Sequence, residues 1–454
     1  MAALALLIGF IHLFLLTRIQ FFPYPELFVY PYLANRGLVP YLHIFDQHFP
    51  GLMLIDSNLE AIGINSVEGM RFVQLLLVAA SQVLIFKIVT KATSKKFPAV
   101  IALIVFMVFQ ITFEGYALWI DSFVSPLLLA SLYFGINALR EEKSKELNYV
   151  LFGLTLGISL VFKQVIVPIL VLVWILLVFK RIGIKNLALF SISSVIPGIV
   201  MVLWAVSKGI WGEFWFWTVT FNLTTFSEMG RKYITFRESV KVSALLLPLI
   251  LISLKTWFSK KYKDIWLLVL VITFSSLIFA YARFDFIHLA PFVALSSVLV
   301  GIGFASSRLF LKLFIFSWSA FLLVYLTIFI FKHWGDQVWF FTEKEIGLSS
   351  VVRNYASEGD SVFAFGTKPH LYYLTKTMPP GQVFSFQFPW FMLHVEDEVL
   401  SGIKSDPPKV VLRDNNSIVD GYRLVEYMPK IAEYIDQNYK VVRVQEGIEV
   451  LLPK

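Results

Sequence analysis

The sequence predicts an α-helical, polytopic membrane protein of about eleven transmembrane helices, followed by a small α/β domain outside the membrane. Three observations carry that prediction. The 454 residues are 57% hydrophobic and only 15% charged, with a mean hydropathy of +0.73, whereas soluble globular chains run at about 45–50% apolar and about 25% charged. Apolar runs suited to a hydrocarbon core of about 30 Å recur along the first three quarters of the chain. Charge is segregated: residues 333–454 hold 28 of the 70 charged side chains, 12 basic and 16 acidic, so this tail is net −4 and the remainder +12. Basic residues between apolar runs mark a multi-spanning membrane protein, which argues against a soluble enzyme and against nucleic acid as the partner of the +8 overall charge. There is no cysteine, so disulfides, thiolate metal sites and cysteine nucleophiles are excluded. The seven histidines are scattered without zinc-ligand spacing, and Asp46 and Asp56 have no ligand partner at helical spacing. No metal and no cofactor is expected.

In chain order the candidate spans are residues 2–16, 72–90, 97–113, 122–139, 149–162, 165–179, 187–206, 242–257, 265–281, 289–305 and 311–331. The first lacks a basic n-region and a small-residue cleavage site, so it reads as an anchor. Residues 149–179 admit two readings, one long tilted helix or a hairpin turning at Lys163-Gln164. Arg140, Lys143 and Lys145 precede this segment; Lys180, Arg181 and Lys185 follow it. Basic loops prefer the cytoplasm, so both ends belong there and the hairpin is favoured. The loops with Lys91/Lys95/Lys96, Lys260/Lys261/Lys263 and Arg308/Lys312 then share the cytoplasmic side with the N-terminus. Segments 18–71, 114–121, 208–241 and 282–288, the Lys163 tip and the tail fall outside. The expected organisation is a transmembrane module over 1–335 and an extracytoplasmic domain over 336–454, in the plasma membrane.

Within the outer segments, 25–36 and 51–62 read as amphipathic stretches able to lie in the interface. Trp211, Phe214, Trp215, Phe216 and Trp217 suit the headgroup layer. In the tail, 361–366, 410–412 and 441–444 read as strands, and 345–355 and 429–439 as helices.

The stretch 25–50, PELFVYPYLANRGLVPYLHIFDQHFP, is the richest in chemistry. Glu26 lies just beyond the first span, Tyr30 stands one turn on, and Arg36-Gly37 closes the helix as a glycine C-cap would. Glu26 is placed either to abstract a proton from a substrate or to cap a juxtamembrane helix. The string resembles the first outer loop of the GT-C glycosyltransferases of the dolichyl-phosphate-mannose–protein mannosyltransferase family, including its bacterial aminoarabinose-transferase-like members. Glu26, Tyr30, Ala34, Gly37, Pro40, Tyr41, Asp46 and Pro50 occupy that family's places, with Glu26 where Asp is more usual. EGYALWID with the following SFVSPLLLASLYF is similar to the second outer loop, and Asp121 matches its acidic residue. LFGLTLGISLVFKQ resembles the G-x-x-x-G-x-x-x-x-x-K run ending in Lys163. ARFDFIHLAPF resembles the late outer motif with Arg283 and His288, and FAFGTKPHLYYLTKTMPP resembles the tail of bacterial members.

The resemblance implies an integral-membrane, inverting glycosyltransferase. It would move a sugar from a polyprenyl-phosphate donor to an extracytoplasmic protein, lipid or glycan. Such a donor is already activated, so the protein must deprotonate the acceptor hydroxyl and receive the departing phosphate. Glu26 and Asp121 are the acidic candidates. Lys163, Arg283, His288, Arg231 and Lys232 are the cationic ones, with Tyr30 and His48 as further substrate contacts. The alternatives are an N-cap for Asp121, interfacial anchors for Arg283 and His288, and a satisfied loop histidine for His48. At the level of function they are a transporter or flippase of a lipid-linked intermediate, or a noncatalytic envelope assembly protein that binds through its tail. The partners expected are the donor lipid, an unidentified acceptor and the bilayer.

Overall fold

The computed structural model describes residues 1–140, 144–257, 262–306, 309–335, 337–366 and 368–454; Lys143, Lys260, Lys261 and Arg308 lie outside the described residues. Each of the eleven apolar runs contains a helix. Seven helices are long and apolar enough to cross a membrane: Val67–Thr93, Ile120–Arg140, Lys145–Phe162, Ile184–Ser207, Phe236–Thr256, Phe286–Ser306 and Leu311–His333. Four apolar helices are shorter: Ala2–Arg18, Phe97–Thr112, Ile166–Phe179 and Asp264–Ala280. The chain divides into two compact units. The first comprises Met1–Phe22, Val67–Trp204 and Lys232–Gln337; the second comprises Pro23–Ser66, Ala205–Arg231 and Val338–Lys454.

In the first unit, the helix Ala290–Ser306 is apolar on all faces and buried from Pro291 to Ala305, the pattern of a helix at the centre of a bundle. The α-helices of this unit are numbered α1 (Ala2–Arg18), α3 (Val67–Thr93), α4 (Phe97–Thr112), α5 (Ile120–Arg140), α6 (Lys145–Phe162), α7 (Ile166–Phe179) and α8 (Ile184–Ser207); α2 (Glu26–Ala34) belongs to the second. Residues 149–179 form two helices. The chain leaves α6 at Lys163, whose φ of −155° and ψ of 126° are extended, and re-enters helix at Ile166. Pro168 gives a local reason: in a continuous helix it would lack the N–H owed to the Gln164 carbonyl and its ring would press on that carbonyl. At the end of α5, Arg140 grips Asp264 through Nε at 2.5 Å and Nη2 at 3.2 Å.

The glycines of the G-x-x-x-G run are there for closeness. A Cβ on Gly153 would stand 2.4 Å from the Phe190 carbonyl oxygen, and one on Gly157 would stand 2.3 Å from that of Ser194, so α6 and α8 meet backbone to backbone. Gly157→Ala is therefore expected to cost about 1–3 kcal/mol by overpacking. Gly183→Ala, with nothing within 4 Å of the added methyl, serves as the control. Thermal unfolding in detergent should separate the two, with only the first lowering the midpoint.

The second unit is built on a four-stranded sheet in the order Val362–Phe365, Val410–Arg413, Ile448–Pro453, Tyr439–Gln445. The first pair is parallel and the other two are antiparallel. Helices Glu343–Arg353, Pro389–Ser405 and Pro429–Asn438 accompany it. The last two strands are joined through Glu446 and Gly447, with φ of 52° and 84°, the conformation a tight two-residue hairpin needs. The first outer segment is stitched to the tail: Ile44–Phe45 pairs in parallel with Phe384–Ser385.

Two sequence expectations change here. Segment 25–36 is no interfacial amphipathic helix, because α2 is apolar all round and buried from Leu27 to Leu33; such a helix belongs in a core. Residues 51–62 form turns rather than a helix. The aromatic cluster also divides. Trp211 and Trp215 are exposed, whereas Phe214 and Trp217 are buried, Phe214 stacking on Phe49 at 5.7 Å and Trp217 packing on Phe45 at 5.3 Å.

Candidate functional site

The sequence-predicted residues gather into separate clusters. In the second unit, Pro25 precedes α2 as its N-cap residue and makes no side-chain cap, while Glu26 is the first helical residue. The Glu26 carboxylate accepts from its own backbone N–H in the first turn, while its Oε2 is buried and has no hydrogen-bond partner among the described residues. Around it lies a tight polar group. Tyr30 donates its hydroxyl to Asp46 Oδ2 at 2.7 Å, and Asp46 Oδ1 accepts from the His48 backbone N–H at 2.7 Å and from its Nδ1 at 3.0 Å. The Tyr41 hydroxyl donates to the His48 carbonyl at 2.8 Å. Gly37, with φ of 98°, turns the chain after α2 as the sequence predicts. Burial, and beyond it the nearby Asp46 charge, pushes the Glu26 carboxyl up to about 8.

In the first unit, Asp121 is fully buried in the first turn of α5, one residue inside the helix. It is not an N-cap. Its Oδ1 and Oδ2 accept from Lys163 Nζ at 2.9 and 2.7 Å, and Oδ2 lies 2.8 Å from His288 Nδ1. Lys163 Nζ stands 3.2 Å from the same nitrogen and over the Phe279 ring at 5.4 Å. The short approach to a carboxylate is met by hydrogen on Nδ1. A buried carboxylate, an ammonium and an imidazole thus satisfy one another, which burial of charge demands.

A third group lies in the same unit. Lys232 Nζ pairs with Asp285 Oδ1 at 2.5 Å, and Arg283 Nε lies 3.9 Å from Asp285 Oδ2. The backbones of Lys232 and Arg283 meet in a parallel bridge. Arg231 ends a segment of the second unit and Lys232 opens one of the first.

Sequence reasoning did not single out Glu114 or Asp285, and it gave Tyr41 and Asp46 only as matches to the family's motif, with Asp46 also weighed as a metal ligand. Glu114, in the left-handed region with φ of 58°, accepts from the Ile287 N–H at 3.2 Å. Burial, then Asp285, raises its carboxyl above the usual range. The available signal was an acidic residue beside glycine between two spans. Among the described residues no group of three or more His, Asp or Glu side chains is gathered as a metal site.

Comparison with known proteins agrees with this architecture. Residues 50–211 match the family model described as dolichyl-phosphate-mannose-protein mannosyltransferase. The chain is similar in structure to ArnT from Cupriavidus metallidurans. In the apo state the TM-score is 0.64 at 11% identity, covering 99% of this chain and 96% of that one. Bound to undecaprenyl phosphate, ArnT gives a TM-score of 0.62 at 11% identity over the same shares, 99% and 96%. It is also similar to the archaeal oligosaccharyltransferase AglB from Archaeoglobus fulgidus, in complex with an inhibitory peptide and a dolichol-phosphate. There the TM-score is 0.60 at 11% identity, covering 100% of this chain and 74% of that one. No curated protein sequence matches the chain. The chain shares the fold of these proteins, and seven of its helices are long and apolar enough to cross a membrane.

Proposed function

We propose that the protein transfers a sugar from a polyprenyl-phosphate donor to an acceptor on the extracytoplasmic side of the plasma membrane, with inversion at the anomeric carbon and Glu26 as general base. The N-terminus is then cytoplasmic, and the first outer segment and tail lie outside. The observation that carries the reading is the state of Glu26. Among the acidic candidates, Asp121 already has partners at both oxygens, whereas Glu26 keeps a buried oxygen with none among the described residues. A carboxylate so placed, with its proton affinity raised by burial, is suited to take the acceptor's hydroxyl proton. The lipid phosphates named with ArnT and AglB support the donor class.

The remaining candidates divide by their surroundings. Asp121 fixes the His288 tautomer and Lys163 neutralises Asp121, so His288 meets substrate through Nε2 while the other two act as positioning residues. Arg283, Lys232 and Arg231 are the cations for the departing phosphate, and Tyr30 and His48 hold Asp46 beside Glu26. A charge-assisted phosphate contact is worth about 1.5–3 kcal/mol. Arg283→Ala should accordingly raise the donor KM about tenfold to a hundredfold, measured with purified polyprenyl-phosphate sugar in proteoliposomes.

The test of the function is mass-spectrometric identification of the co-purified lipid, followed by transfer from that lipid in proteoliposomes. Product formed by the parent and lost in Glu26→Gln supports the reading. Movement of a lipid-linked sugar across the bilayer without transfer would replace it with a translocator.

A further inference from the structure

The first unit contains a buried polar network that the reaction does not itself require. His12 of α1 donates from Nε2 to Gln110 Oε1 of α4 at 2.7 Å, and Gln82 of α3 donates from Nε2 to His12 Nδ1 at 2.8 Å. His12 is fully buried. These partners settle both its tautomer and the orientation of the Gln110 amide. Gln110 Nε2 then donates to the Gly115 carbonyl at 2.9 Å, and Gln74 Nε2 of α3 donates to the same oxygen at 2.8 Å. Polar groups inside membrane helices are costly and seldom without purpose. Here two helices, α3 and α4, converge on one carbonyl, and His12 of α1 braces Gln110.

That carbonyl sits in the loop between α4 and α5. A Cβ on Gly115 would lie 2.0 Å from the Gln110 carbonyl oxygen, so glycine is required for the approach. The preceding residue is Glu114, held at φ of 58° and bonded to the Ile287 N–H. Ile287 adjoins His288, which is bonded to Asp121. Gln74, Gln110 and Gly115 also line a cavity of about 30 Å³ with Ser122 and Ser125, the first beside Asp121 and the second bonded to its carbonyl.

We propose that Gln110 and Gln74 are positioning residues for sugar transfer: their joint grip on the Gly115 carbonyl holds the loop that keeps His288 in register with Asp121. The inference rests on the function proposed above. Loss of the grip displaces His288 rather than removing it, and misplacement on the scale of 1 Å lowers turnover about a hundredfold.

Gln110→Leu and Gln74→Leu are the test variants, read in two independent ways. Hydrogen exchange of the full-length protein should quicken in peptides covering 113–119 and 284–288 while the rest of α5 keeps its protection. In proteoliposomes with polyprenyl-phosphate sugar, kcat should fall about tenfold to a hundredfold with little change in donor KM. In a His288→Ala background the same substitutions should add nothing further, because residues acting through one group are non-additive. Unchanged loop exchange overturns the clamp whether or not the parent transfers sugar. A loosened loop with parental kcat, or full additivity with His288→Ala, overturns the positioning role. A parent that transfers nothing counts against the function alone, and the exchange arm still decides the clamp.

Discussion

Glu26→Gln is expected to lower the transfer rate about 10²–10⁴-fold, the usual worth of a general base, with donor KM little changed. Glutamine keeps the size of the side chain and the packing of α2, whose residues Leu27–Leu33 are buried, so the loss would report proton transfer and not unfolding. Glu26→Asp should retain part of the rate, because it keeps the charge and withdraws it by one methylene. Stability gives an independent reading with a definite sign. The folded Glu26 carboxyl sits near 8 against an ordinary 4.5, so the folded state holds the proton more tightly than the unfolded one. Its protonation-linked stability is fully present below about 4.5 and is lost as pH rises through about 8. The glutamine variant does not titrate. Its thermal midpoint should therefore gain on the parent as pH rises across that window and hold the advantage above it.

The second large effect is on the fold. Lys163→Met removes the ammonium from a carboxylate with no solvent exposure, since Asp121 has 0% side-chain accessibility and Lys163 only 8%. Breaking a buried pair from one side costs about 3–5 kcal/mol. Much of that cost is the orphaned charge, so the double variant Asp121→Asn/Lys163→Met should recover most of the stability while transfer stays impaired. Thermal unfolding in detergent of both single variants and the double variant closes the cycle. Additive losses would show that the pair does not act as a unit.

Much of this was legible in the sequence because hydrophobic length is a strong signal. Each apolar run contains a helix, and residues 149–179 break into two helices at the Lys163-Gln164 position that the hairpin reading named. The mechanism of the break was present too, in Pro168. What periodicity could not supply was partnership across distance. Nothing local says that Lys163 will meet Asp121 and His288, or that Ile44–Phe45 will pair with Phe384–Ser385. The 25–36 stretch was misread because a buried helix and an interfacial one share an apolar composition, and the difference lies in what covers the far face. Helix Pro389–Ser405 and strand Ile448–Pro453 were passed over in a tail whose short elements carry little pattern. Asp46 was given no role beyond a motif match and a metal ligand without a partner, although it is the acceptor around which Tyr30 and His48 are arranged.

The claim on which the rest depends is that a buried, proton-hungry Glu26 accepts the acceptor's proton, and the pH dependence of kcat/KM for transfer in proteoliposomes tests it most directly. The parent rate is expected to climb with pH and level off above about 8, where the Glu26 carboxyl ionises, and that rising limb is expected to be absent from the residual activity of Glu26→Gln. A parent profile that is flat from pH 6 to 9, or a glutamine variant that keeps the same rising limb at the parental rate, would contradict it.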